Sequence, residues 1–269
     1  MKSNLTLRVL SALVLAPVVL VCIFLGDPAY NILVATMGAV MAWEWEKMIT
    51  EKTTALSLII GSLAVMIAFV TRNYPAEALA LMALGAVFVY FKSGKNLLLS
   101  FGVFYICIPV FSLIYIAYYS GYNDLDYSFI YILWLLFVVW ATDIGGYVFG
   151  KSIGGPKLVP KISPKKTWAG LIGAMASAAL ITYVLVLTMN HYYEEGLSVS
   201  YFVISSVVLA VISQIGDIFE SAIKRSLDLK DSSNLIPGHG GIFDRVDGLL
   251  FAAPAVAIFV LMNNFGLFE

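Results

Sequence analysis

The sequence predicts an all-α, polytopic integral membrane protein with about nine transmembrane helices and a cytoplasmic N-terminus. Composition is the first ground. Of 269 residues, 61% are hydrophobic and only 12% charged, and the mean hydropathy is +0.91. A soluble domain of this length cannot place so much apolar surface in one core, because polar groups must still cover its outside; lipid as the solvent removes that conflict. The second ground is pattern. Apolar runs recur along the chain without strand-like alternation, and a lipid-facing backbone must satisfy its own hydrogen bonds, so helices are the default. The third is charge. With loops assigned alternately to two faces, fifteen of the sixteen Lys and Arg residues fall on the N-terminal side and only Arg72 falls opposite. Basic residues gather on the cytoplasmic side of a membrane, and an error of one span would scramble the split.

The nine runs cover residues 7–26, 30–43, 54–71, 76–91, 97–120, 127–149, 168–189, 201–220 and 249–267. The first is long enough to span and lacks a small-x-small cleavage site, so it reads as a retained helix and not a secretory leader. The second and fourth are short; they gain length from their flanks or by tilting less. Loops on the far face are short and acidic or neutral, with Asp27, Asp124, Asp126, Glu194 and Glu195. Cys22 and Cys107 both fall inside apolar runs, with no spacing for a zinc site or a disulfide, and read as small fillers. No internal repeat suggests inverted transporter halves. The chain reads as one membrane-embedded domain, 1–269, with two charged cytoplasmic segments at 150–167 and 216–248.

The second segment is the denser. Residues 216–248 hold six Asp/Glu and five Lys/Arg/His between two apolar runs. If the eighth helix continues past Glu220, then Asp217, Ser221, Lys224 and Asp228 share a face, with Glu220 close to it. An acid at the end of an apolar run is costly without a cation or a basic partner. Next comes Ile236-Pro237-Gly238-His239-Gly240-Gly241, a turn whose Pro and glycines can bring backbone amides close to phosphate oxygens. A glycine-rich turn alone is weak evidence, but Asp244, Arg245 and Asp247 follow at once. Carboxylates from the end of one helix and the start of the next can converge on a hard cation.

Asp143 lies inside the sixth run beside Gly145 and Gly146. An intramembrane acid is a functional candidate by default, and small residues let helices approach closely enough to bury it; an interhelical hydrogen bond is the structural alternative. The loop after it, 150–167, carries five lysines and three prolines. It serves either to hold the loop in the cytoplasm or to bind anionic headgroups or nucleotide phosphates.

The pattern Ser221-x-x-Lys224-Arg225, then Lys230-Asp231-x-Ser233-x-x-Ile236-Pro237-x-His239-Gly240-Gly241-Ile242-x-Asp244-Arg245-Val246-Asp247, resembles the signature of the phosphatidate cytidylyltransferases, or CDP-diacylglycerol synthases. The resemblance continues at Ile162-Ser163-Pro164-Lys165-Lys166-Thr167 and at Asp143 with Gly145-Gly146-Tyr147. One departure stands at Ala169, where many relatives carry an acid.

The resemblance implies a reaction of CTP with phosphatidate that yields CDP-diacylglycerol and pyrophosphate with Mg²⁺, leaving room for a second cation, monovalent or divalent. On that basis Asp217 and Asp244 would hold the metal, supported by Glu220, Asp247 and Asp143. Lys224, Arg225, Lys230 and Arg245 would bind phosphates, with Ser221 beside them. His239, Gly240 and Gly241 would line the triphosphate, with His239 also placed to assist pyrophosphate departure. Ser163, Lys165 and Lys166 would clamp a second anionic group. The lipid bilayer is the expected surrounding, no nucleic acid is expected as a partner, and a homodimer is compatible with the pattern. The expected location is a bacterial inner membrane with the site facing the cytoplasm. A secondary transporter, the competing class, would place acids near midplane in matched broken helices; here the candidates gather at one face.

Overall fold

Each of the nine apolar runs forms a helix. The computed structural model describes residues 2–119, 125–193, 196–236 and 240–264. The helices are α1 (Lys2–Leu25), α2 (Ala29–Thr50), α3 (Ala55–Val70), α4 (Pro75–Lys92), α5 (Leu97–Tyr119), α6 (Leu125–Ser152), α7 (Trp168–Tyr193), α8 (Val199–Ser226) and α10 (Leu249–Asn264), with one extra turn, α9 (Phe243–Val246), before the last. Five of them, α4 to α8, are long and apolar enough to cross a membrane among the described residues; α3 and stretches of α1 and α10 are apolar but shorter. The second run, expected to be short, extends seven residues past Trp43 to Thr50 and carries Glu44 and Glu46 with it.

Local chemistry sets the helix ends. Pro75 opens α4 at the position where a missing N–H costs nothing. The Asn96 side chain accepts from the Leu98 and Leu99 amides at 3.0 and 3.1 Å and caps α5. Glu46, fully buried on α2, accepts from the Thr54 and Ser57 amides at 2.9 and 3.0 Å, which fixes the corner into α3.

Helices α2 to α5 pack on one another as one group, and α6 to α8 as a second; α10 lies against α5, α8 and α6 and joins the two. Consecutive helices alternate in direction, so polar connections collect at two ends. At one end Arg72 pairs with Asp27, Tyr119 Oη donates to the Arg72 carbonyl at 3.0 Å, and Tyr118 Oη donates to Asn31 at 3.1 Å. At the other end lie the connections α2–α3, α4–α5, α6–α7 and α8–α10, tied together by Trp45 Nε1 donating to the Leu98 carbonyl at 3.1 Å and by the contacts of the next section.

Two expectations need correction. The 150–167 segment is not simply a loop: β1 (Lys157–Val159) and β2 (Ser163–Thr167) form an antiparallel hairpin, so the chain is predominantly helical and not purely so. Asp228 does not share the face of Asp217 and Lys224. Helix α8 ends at Ser226, and Asp228 has a left-handed backbone with φ of 55°. Cys22 and Cys107 are free, as expected of fillers.

Candidate active site

Helix α8 does continue past Glu220, and that continuation aligns Gln214, Asp217, Ser221 and Lys224 along one side of its last three turns. The hairpin reaches this face. Lys166, in β2, places Nζ 2.5 Å from Asp217 Oδ2 and donates to Gln214 Oε1 at 2.8 Å. Strand alternation sends its neighbour Lys165 outward, where it is exposed. Ser163 sits half-buried at the start of the strand, paired with Val159. Ser221 Oγ donates to Asp217 Oδ1 at 3.4 Å, a long bond.

One turn further along α8, Lys224 is buried between two acids. Its Nζ is 2.5 Å from Glu220 Oε2 and 2.5 Å from Asp244 Oδ1. The Glu220 oxygens are buried and accept no hydrogen bond of good geometry; their close partner is the Lys224 ammonium. Asp244 is more fully tied. Its Oδ2 accepts from the Ser232 amide at 2.8 Å, Ser232 Oγ at 2.9 Å and the Gly241 amide at 2.8 Å. Burial acts to raise the Asp244 carboxyl, but the Lys224 ammonium and these amide donors outweigh it and hold the group below the usual carboxylate range.

Asp247, the residue ending α9, accepts from the Gly248 amide at 2.8 Å. Burial pushes its carboxyl well above the usual range, and the charges of Asp217, Asp143 and Glu220 add to the effect. Four acids from α6, α8 and α9 therefore lie within electrostatic reach of one another. By surface area Asp143 is exposed and Asp217 and Asp247 are half-buried. Arg245 is exposed within reach of Asp143. Close α6–α7 packing places Asp143 here: a Cβ on Gly145 would lie 2.8 Å from the Gly173 carbonyl oxygen. Beneath the acids, the Thr142 and Ser213 hydroxyls are buried without a hydrogen-bond partner.

The turn between α8 and α9 closes on an isolated bridge, with Ile236 N donating to Gly240 O at 2.8 Å and Gly240 N to Ile236 O at 3.1 Å. Gly240 has φ of +84°, a conformation that favours glycine. His239, with Pro237 and Gly238, lies outside the described residues. Arg225 and Lys230 are not brought into the cluster. Both are exposed, and Arg225 donates to the Leu229 carbonyl at 2.9 Å. Among the described residues, no three Asp, Glu, His or Cys side chains stand close enough to enclose a metal ion unaided.

Sequence reasoning missed Glu44. This fully buried α2 residue accepts from Ser233 Oγ at 2.6 Å and the Ile242 amide at 2.9 Å through Oε1, and from Ser232 Oγ at 3.1 Å and the Phe243 amide at 2.9 Å through Oε2. The available signal was an acid between Trp43 and Trp45 at the end of an apolar run, which has to find donors if it is buried. Gln214, Ser213 and Ser232 also escaped notice. Under them lies an aromatic floor, in which the Tyr105 and Phe243 rings stack 5.7 Å apart with an interplanar angle of 9°.

The chain is similar to proteins named phosphatidate cytidylyltransferase from several bacteria. The one from Brucella melitensis is 34% identical over 263 residues, covering 96% of this chain and 93% of its own. That of Bacillus subtilis is 34% identical over 260 residues, with 92% and 94% covered, and that of Haemophilus influenzae 32% identical over 279 residues, with 94% and 97% covered. Each alignment runs nearly end to end and so takes in the hairpin, α8 and the α9 turn together. The model of the cytidylyltransferase family matches residues 6–263, and the chain belongs to that family.

Proposed function

We propose that this protein is a phosphatidate cytidylyltransferase of the bacterial inner membrane. Nine spans and a cytoplasmic N-terminus would put the α6–α7 hairpin and the α8–α10 turn at the cytoplasmic face, where CTP is available. The observation that carries the reading is the joining of Lys166 to Asp217 and of Lys224 to Asp244. It collects cations, acids and the glycine turn at one end of the bundle, in a chain that aligns along nearly its full length with phosphatidate cytidylyltransferases. Of the two cations, Lys166 is only partly buried and would meet a phosphate, whereas Lys224, buried between two acids, would hold the turn.

A phosphate oxygen of phosphatidate attacks the α-phosphorus of CTP. A new P–O bond forms, the bond from the α-phosphorus to the oxygen bridging to the β-phosphorus breaks, and pyrophosphate leaves with that electron pair. The attacking phosphate is already ionised, so no strong base is needed and positioning with charge compensation dominates. Lys166 would bind one phosphate group, with Arg245, also within reach of Asp143, beside it. The Gly240 and Gly241 amides, expected to face phosphate oxygens, are instead taken by the Ile236 carbonyl and Asp244, so the turn would lie against the triphosphate without presenting those two amides to it. The exposed Lys165, Arg225 and Lys230 would guide anions inward.

The acids fit Mg²⁺. Asp247 lies within electrostatic reach of three other carboxylates, and the buried Thr142 and Ser213 hydroxyls lack hydrogen bonds. Mg²⁺ commonly takes one or two carboxylates and completes its shell with phosphate and water, so a cage of three protein acids is not required. Asp217 and Asp247 would hold it, with Asp143 and Glu220 behind them. Asp244, whose two oxygens are engaged by Lys224, Ser232 and Gly241, better suits a role in positioning the turn. Bound there, Mg²⁺ would offset the charge of the two phosphates and of departing pyrophosphate.

The test is purified protein in detergent with CTP, Mg²⁺ and phosphatidate. CTP-dependent pyrophosphate release with formation of CDP-diacylglycerol is expected. Its absence, with release restored by a polyprenyl or ether-lipid phosphate, would reassign the lipid substrate; no release with any of them would overturn the reading.

A further inference from the structure

We infer that Glu44 is a positioning residue for the reaction, holding the phosphate-facing turn in place from the other half of the bundle. The inference rests on the proposed activity. The Glu44 carboxylate joins two segments that flank the turn: Ser232 and Ser233 before it, Ile242 and Phe243 after it. These partners lie 188 to 199 residues away in the chain. Ser232 Oγ also faces Asp244 Oδ2 at 2.9 Å, and Asp244 reaches Lys224. A continuous polar chain thus runs from α2 through the turn to α8. Gly241 is packed into the junction so tightly that a Cβ there would lie 2.7 Å from Glu44 Cδ.

Nothing else among the described residues ties this turn to α2 by side-chain hydrogen bonds. The aromatic packing of Trp45 on Phe243, with centroids 5.8 Å apart, fixes distance but not register. Four directional bonds to one carboxylate fix both. Misplacing a positioning element by about 1 Å can cost on the order of 100-fold in rate.

Glu46, two residues along α2, provides an internal comparison. It is equally buried, but its partners are the local residues Thr54 and Ser57. The two acids also differ in how donors are shared. At Glu46 both backbone amides bond to Oε2, and Oε1 meets only the Thr54 hydroxyl. A glutamine amide can satisfy that set, because its NH₂ would face a hydroxyl able to accept. At Glu44 each oxygen receives one backbone amide and one hydroxyl. A glutamine there, flipped either way, turns its NH₂ against a backbone N–H that cannot accept.

The experiment compares Glu44→Gln, Glu46→Gln and the packing variant Met82→Ala with wild type, in CTP-dependent pyrophosphate release and thermal unfolding of purified protein. Glu44→Gln is expected to lose kcat/KM for CTP by on the order of 100-fold, with KM for phosphatidate within about threefold of wild type. Glu46→Gln is expected to stay within about threefold in every parameter, and Met82→Ala to unfold earlier yet keep its kcat/KM. If Glu44→Gln does not fold, Ser232→Ala/Ser233→Ala keeps the carboxylate and both amides, and an approximately tenfold fall in kcat/KM for CTP is expected. Folded Glu44→Gln within about threefold of wild type would overturn the inference, as would an equal loss in Met82→Ala or an unaffected double serine variant. Wild-type protein inactive on CTP with every lipid phosphate would instead remove the functional reading on which the inference stands.

Discussion

Lys166 Nζ, in strand β2, lies 2.5 Å from Asp217 Oδ2, in helix α8. The pair is half-buried, with side-chain exposures of 15% and 25%, and it joins the two charged segments through residues 51 positions apart in the sequence. As a surface bridge it would contribute little. On the proposed function its value would lie in holding a cation beside the acids, where it would exchange Asp217 for a phosphate oxygen.

Replacing Lys166 by Met should therefore leave the protein folded and lower kcat/KM by on the order of 100-fold, the loss typical of a preorganised charge at a reacting phosphate. Reversing the pair with Lys166→Asp/Asp217→Lys should restore the ion pair but not turnover. Pyrophosphate release measured beside thermal unfolding separates the two. Turnover recovering in the swapped variant would reduce the pair to a structural bridge.

Lys224 should behave differently, because it is 8% exposed between Glu220 and Asp244. Lys224→Met strands two buried acids, and removing one member of a buried pair costs about 3–5 kcal/mol. Lys224→Met/Glu220→Gln should recover part of that loss, and a double-mutant cycle on unfolding free energies measures the coupling. Asp244→Asn puts an amide NH₂ either beside the ammonium or among three donors, so it should lose both stability and activity. Asp244→Asn that folds and turns over fully with Mg²⁺ would overturn the role of Asp244 in positioning the turn.

Much of this was legible in the sequence because it is local. Helical continuation past Glu220 is a matter of spacing, and it does put Asp217, Ser221 and Lys224 on one side of α8. Gly145 beside Asp143 announced a close helix crossing, and that crossing is there. What was not legible depends on long-range pairing. Glu44 finds its donors 188 to 199 residues away, and no pattern within α2 names them. The hairpin at 157–167 is three and five residues long, rich in Lys and Pro, and lacks the alternation that betrays a strand. Asp228 fell out of register because α8 stops at Ser226, where no Pro or Gly marks the end.

The neighbouring glycines of α6 should respond oppositely to the same change. A Cβ on Gly145 would meet Ser177 Cβ at 2.7 Å and the Gly173 carbonyl at 2.8 Å, whereas one on Gly146 finds nothing nearer than 3.8 Å. Gly145→Ala must push α6 from α7 and shift Asp143 with it, so thermal stability and turnover should both fall, turnover on the order of tenfold or more. Gly146→Ala should be neutral or stabilising by up to about 1 kcal/mol, since alanine is the better helix former. Equal behaviour of the two in unfolding and pyrophosphate release would mean that the α6–α7 spacing does not set the acid's position.

Metal removal tests the acids as a group. Asp247 is pushed well above the usual carboxylate range by burial and by Asp217, Asp143 and Glu220, so the cluster holds more negative charge than it can keep ionised without a cation. Chelation with EDTA should abolish pyrophosphate release, and added Mg²⁺ should restore it. Asp247→Asn and Asp217→Asn should each raise the Mg²⁺ concentration for half-maximal activity by about 10-fold or more, in the range seen when a ligand's support is lost. Lys165→Ala, at an exposed position outside the cluster, should leave that concentration unchanged while weakening CTP capture at low salt. An Mg²⁺ requirement that does not move in either aspartate variant would place the cation elsewhere, and would leave these acids as the anchor for Lys166 and Arg245 alone.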